Sequence, residues 1–101
     1  MIAALGEPMR VTILERLIDA PSTATELAHD LPVTRSAISQ HLQVMKSAGL
    51  VDDQPQGTRR VYTVDPDALA LLRGYFDSFW NRSLENFRRA TEAGAQARGD
   101  T

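Results

Sequence analysis

Apolar residues recur at helical spacing in several stretches of this chain, separated by turn-forming residues. Val11, Ile13, Leu14, Leu17 and Ile18 form a stripe over Pro8 to Asp19. Pro8 falls in the first turn, where a missing N–H breaks no hydrogen bond, so a core helix is expected there. Ala20, Pro21 and Ser22 end it. Thr23 followed by Glu26 has the form of a capping box, which opens a short helix with Leu27, Ala28 and Leu31 on one face. Pro32 closes that helix, and Thr34 is placed to cap the next. The two helices are therefore joined by a turn of about three to four residues.

At about 100° per residue, Ile38, Leu42, Met45 and Gly49 fall together on the helix after Thr34, while Ser36, Ser39, Gln40, Gln43 and Ser47 lie opposite. This helix has a dry side and a small, hydrogen-bonding side. Gly49 can take the left-handed conformation that ends a helix. Leu50 and Val51 begin a strand, a turn is expected at Pro55 to Gly57, and Thr58 to Val64 returns as a second strand bearing Arg59 and Arg60. The layout is that of a helix-turn-helix followed by a basic β-wing. The expected fold class is mainly α with a small β-hairpin wing, a winged helix-turn-helix that dimerises through its terminal helices.

Asp65 and Pro66 fit an N-cap and first helical position, starting a long helix expected to reach about Ala90. It carries Leu69, Leu72, Phe76, Phe79, Trp80, Leu84 and Phe87 at the spacing of one apolar face, and five of the six aromatics of the chain lie between Tyr75 and Phe87. One small domain has little core left for that much aromatic area, so a second subunit is the expected cover. After Glu92 the periodicity stops. Residues 1–92 are read as one DNA-binding and dimerisation domain, and residues 93–101 as a frayed tail.

Composition narrows the function. The 101 residues suit one small domain, for which dimerisation would bury more surface. No cysteine is present, which excludes disulfides, thiolate metal sites and thiol redox sensing. His29 and His41 are the only imidazoles, so no metal or other cofactor is expected. No serine, histidine and aspartate arrangement, phosphate loop or paired-carboxylate context stands out, which argues against an enzyme. No apolar run is long enough to span a bilayer and the N-terminus lacks a signal peptide, so no membrane partner and a cytoplasmic location are expected. The net charge of −2 is unevenly distributed. Residues 1–33 sum to −3 and 65–101 to −1, whereas 34–64, the reader and wing, sum to +2.

The chain resembles the ArsR/SmtB family of bacterial winged-helix repressors. The resemblance rests on LGEPMRVTILERL at Leu5 to Leu17, TELAHDLPVTRSAISQHLQVMKSAGLV at Thr25 to Val51, and GTRRVYTVDPDAL at Gly57 to Leu69. It implies a homodimer built on the terminal helices, with Leu5 as well as the aromatic face of the last helix at the interface, and two recognition helices in successive major grooves of an imperfect palindrome. Two departures stand out. Metal-sensing members place cysteines before the recognition helix, or His and acidic ligands on the last helix; here the first region reads ELAHDL and the last helix has no His. The metal-sensing role is therefore not carried over. Only Met1 to Leu5 stand where the family usually has a first helix, so a trimmed start is expected.

The candidate DNA-binding residues are Arg35, Ser36, Ser39, Gln40, His41, Gln43, Arg59 and Arg60. Gln can pair with the N6 and N7 edge of adenine, and Ser can donate or accept toward several bases. Arg35 either reaches a phosphate or guanine or lies along the surface. His41 is either a satisfied structural histidine or, as the resemblance allows, a DNA contact. Gln43 and Lys46 are at most backbone contacts. Thr23 and Thr34 are read as caps first, though free amides at helix N-termini also suit phosphates. Successive strand residues point to opposite faces, so one of Arg59 and Arg60 is expected in the minor groove and the other on phosphate or an acid. Tyr62 is read as strand packing and His29 as an exposed helix residue. The leading function is a sequence-specific transcriptional repressor binding promoter DNA, its own promoter among the candidates, with the effector unknown. The alternative is a winged-helix module that binds a protein partner without DNA, which an acidic reader face would favour.

Overall fold

A computed structural model describes the backbone of residues 1–99 and the side chains of residues 1–94. The chain forms two compact units, Met1–Ala70 and Leu71–Thr101.

The first unit opens with a 3-10 turn over Ile2–Gly6. Helix α1, Pro8–Asp19, follows and buries Ile13, Leu14 and Leu17. Val11 and Ile18, expected in the same stripe, remain exposed. At about 100° per residue each lies roughly a quarter-turn or more from the centre of the buried trio. Ser22–Thr23 then form a short strand, β1. From sequence, Ala20, Pro21 and Ser22 predict only a break in the helix. Two residues carry too little periodicity to show as a strand, and it is defined by what it pairs with.

Helix α2, Ala24–Asp30, starts on a complete capping box. The backbone N–H of Glu26 donates to Thr23 Oγ1 at 3.1 Å, and the N–H of Thr23 donates to Glu26 Oε1 at 3.2 Å. Leu31 to Thr34 form the turn, and α3 runs over Arg35–Ser47 with Thr34 Oγ1 accepting from the N–H of Ala37. Ile38, Leu42 and Met45 are fully buried, packing α3 against α1, α2 and the following strand. Gly49 has φ of 80° and ends the helix, as its position predicts.

Strands β2, Val51–Gln56, and β3, Arg59–Val64, make an antiparallel hairpin, and β1 adds to the free side of β3, giving the order β1-β3-β2. The turn is Gly57–Thr58, not Pro55 to Gly57. Gly57, with φ of 66°, takes the first central position, where a type II′ hairpin wants glycine. Pro55 stays inside β2, tolerated because β2 is an edge strand.

Helix α4, Pro66–Gly99, begins with Asp65 Oδ1 accepting from the N–H of Asp67 at 2.8 Å. It extends past the expected end near Ala90, and the stretch from residue 93 read as a frayed tail is helical backbone to Gly99. Ala90, Ala93, Ala95 and Ala97 are strong helix formers and no proline interrupts them, so propensity carries the helix beyond its apolar pattern. Asp100 and Thr101, in the same expected tail, lie outside the described residues. In the second unit, Tyr75, Phe76, Phe79, Trp80 and Phe87 are each at least half exposed. Tyr75 and Phe76 meet edge to face with ring centroids 5.7 Å apart.

Candidate nucleic-acid interface

The outward side of α3 divides into two stripes. Ser36, Gln40, Gln43 and Ser47, at i, i+4, i+7 and i+11, are all exposed and stand opposite the buried Ile38, Leu42 and Met45. Arg35, Ser39 and Lys46 lie about a quarter-turn to one side, toward the wing. His41 is half-buried on the other flank and His29 is exposed.

Between α3, the start of α2 and the wing is a groove of about 460 Å³. It gathers Arg35 and Ser39 from α3 and Arg59 and Arg60 from β3, four of the eight residues singled out from sequence. Ser36, Gln40 and Gln43 stand on the neighbouring stripe, and His41 does not join them. Thr25, Glu26, Thr58 and Tyr62, not singled out for DNA, also line the groove. Glu26 puts an acid there, and its carboxylate already occupies the N–H of Thr23. The caps at Thr23 and Thr34 are made by side chains, in agreement with their simpler reading.

The two wing arginines differ in partner. Arg60 Nη1 donates to Asp53 Oδ2 at 3.0 Å, while Arg59 has no acid partner among the described residues. Lys46 Nζ sits 2.9 Å from Asp53 Oδ1. The hydrogen bond from Lys46, together with the charges of Arg60 and Lys46, holds the Asp53 carboxyl below its usual 3.8 and outweighs the partial burial that would raise it. Asp53 is ionised at neutral pH. In the sequence Asp53 is one charge among others; the two-residue turn at Gly57–Thr58 puts it opposite Tyr62 and diagonal to Arg60, within reach of a long side chain.

On α4, Phe76, Phe79, Trp80 and Phe87 are more than half exposed, Leu84 is 38% exposed and Leu72 is buried; Leu5, in the N-terminal 3-10 turn, is half-buried. Trp80, Ser83, Leu84 and Phe87 line a shallow apolar depression of about 210 Å³. Among the described residues no three His, Cys, Asp or Glu side chains come together as a metal site, and no helix is long and apolar enough to cross a membrane.

A reader helix with a polar outer stripe, a capped helix before it and an arginine-bearing wing define a winged helix-turn-helix transcriptional regulator. Residues 7–53 match the model of the bacterial regulatory proteins of the arsR family. The chain is 50% identical over 90 residues to the HTH-type transcriptional regulator Rv2034 of Mycobacterium tuberculosis, covering 89% of this chain and 84% of that one. Among solved structures, a possible transcriptional regulator for arsenical resistance superposes with a TM-score of 0.72 at 41% identity, over 83% of this chain and 92% of the other. The homodimeric winged helix-turn-helix DNA-binding domain of a possible ArsR-family regulator from Mycobacterium bovis gives 0.66 at 27% identity, over 83% and 78%. The chain belongs to the arsR family, whose members regulate transcription by binding DNA and are not enzymes.

Proposed function

We propose that the protein is a homodimeric repressor whose paired α3 helices enter successive major grooves of an imperfect palindrome in promoter DNA, its own promoter among the targets. The observation that carries this is the joining of Arg35, Ser39 and Arg59 in one groove beside the exposed stripe of Ser36, Gln40 and Gln43. That arrangement supplies base-edge donors and acceptors on the helix and cations on its border, which sequence reading of DNA requires. The stripe carries no acid, which disfavours the protein-binding alternative. Homodimerisation is supported by the exposed aromatic face of α4 and by the homodimeric Mycobacterium bovis relative. Promoter binding implies a cytoplasmic location.

Footprinting on the DNA upstream of its own gene tests the proposal. Two protected half-sites about one helical turn apart are expected. Protection of a single half-site by a monomer refutes the dimer, and absence of any protection there refutes self-regulation.

A further inference from the structure

Lys46, Asp53 and Arg60 come from α3, β2 and β3, and meet at one carboxylate. Each oxygen of Asp53 takes a different cation, Lys46 at 2.9 Å and Arg60 at 3.0 Å. The Asp53 side chain is only 9% exposed, whereas those of Lys46 and Arg60 are 42% and 54% exposed. The acid is covered and the two cations border the reading face. Arg60 lines the groove together with Arg35 and Arg59, and Lys46 is on the side of α3 turned toward the wing. A free cation there would meet phosphate and add to sequence-independent binding through counterion release. A cation held on Asp53 adds much less.

We propose that Asp53 is a positioning residue for DNA recognition: it ties the wing to the end of α3 and withholds Lys46 and Arg60 from phosphate, lowering non-specific affinity in favour of a fixed wing. The proposal rests on the DNA-binding reading above. It divides the wing arginines by role. Arg59, on the opposite face of β3, is the cation available to the duplex, and Arg60 is the wing's side of the anchor. The three groups together present one net positive charge where two uncompensated cations would present two.

The test is fluorescence anisotropy across a range of salt concentrations, with the duplex upstream of its own gene and a scrambled duplex of equal length. Asp53→Asn keeps the size of the side chain and removes its charge. In that variant the affinity for scrambled DNA is expected to rise at low salt. The slope of log K against log salt is expected to steepen by about 0.9 for each cation that reaches a phosphate. The preference for the upstream duplex should fall. Lys46→Gln with Arg60→Gln, leaving Asp53 in place, should flatten the slope by well under the two contacts' worth, about 0.9 each, that two free cations would supply, because one carboxylate already holds both. This second measurement decides the matter even where Asp53→Asn does not fold. An unmoved slope in Asp53→Asn, or one flattened by two full contacts in the Lys46 and Arg60 variant, overturns the proposal; equal loss of both affinities at constant slope reduces Asp53 to packing. Wild-type protein that binds neither duplex would overturn the DNA-binding reading itself, a result distinct from wild-type binding with an unmoved slope in the variant.

Discussion

The backbone N–H of Leu50 donates to the carbonyl of Met45 at 2.9 Å, and that of Gly49 donates to Lys46 at 3.0 Å. This pair is a Schellman motif, and it needs a residue in the left-handed region between helix and strand. Gly49 supplies it with φ of 80°, and both Met45 and Leu50 are fully buried across the motif. Nothing lies within 4 Å of a Cβ built on Gly49, so backbone conformation alone decides the cost of a side chain there. Gly49→Ala is expected to lose about 1–2 kcal/mol. At about 4–8 °C per kcal/mol for a domain of this size, thermal unfolding followed by circular dichroism resolves the difference. Gly49→Asn should lose less, because Asn visits this region more readily; equal melting of wild type and Ala variant would refute the explanation.

Gln40 is exposed in the centre of the outer stripe of α3. Gln40→Ala should relax base preference at one position in each half-site, at roughly 1–3 kcal/mol for each lost bidentate contact. Selection from a randomised duplex library reads this directly. Unchanged preference would assign Gln40 to the solvated surface.

Arg59→Ala and Arg60→Ala should separate. Loss of Arg59 removes a phosphate contact and flattens the salt dependence by about 0.9 per contact, weakening binding to all sequences alike. Loss of Arg60, already held on Asp53, should move the slope far less. Equal slopes for the two variants would contradict the division between them.

Much of this architecture is legible in the residues themselves. Thr23 with Glu26, Thr34, Gly49 and the Asp65–Pro66 pair mark helix ends through local hydrogen bonding and backbone preference, which act over a few residues and so appear in sequence. The buried trio of α3 follows from spacing alone. Other features depend on contacts distant in sequence. Strand β1 exists because Ser22 and Thr23 pair with Tyr62 and Val61 about forty residues later. Asp53 gains its role only when the hairpin turn sets the diagonal with Arg60 and α3 brings Lys46 to the same point. The apolar periodicity of α4 stops near Ala90, but alanine propensity continues the helix without it.

Phe76 and Trp80, one turn apart on α4, are 54% and 67% exposed. Replacing both by Asp removes apolar area that this single chain already leaves in water, so little loss of helicity is expected. The dimer constant should weaken by at least tenfold, since buried aromatic anchors at an interface commonly contribute about 2 kcal/mol or more. Sedimentation equilibrium measures it, and an unchanged association constant would place the interface elsewhere.

Control by metal is not expected, because the chain has no cysteine and its two histidines lie outside the last helix. Zinc, nickel, cadmium and arsenite titrated into the protein–DNA complex should leave affinity unchanged. Stoichiometric, reversible release by any one of them would show a sensor site built from other ligands.

Tyr62 stands opposite Ser22 on one side and Asp53 on the other. The phase of β3 is therefore specified twice, by strands on both of its edges. Sliding the wing by one residue, which would exchange the faces of Arg59 and Arg60, would have to break both ladders at once. A substitution at position 59 can therefore change the charge offered to the duplex without shifting the strand that carries it.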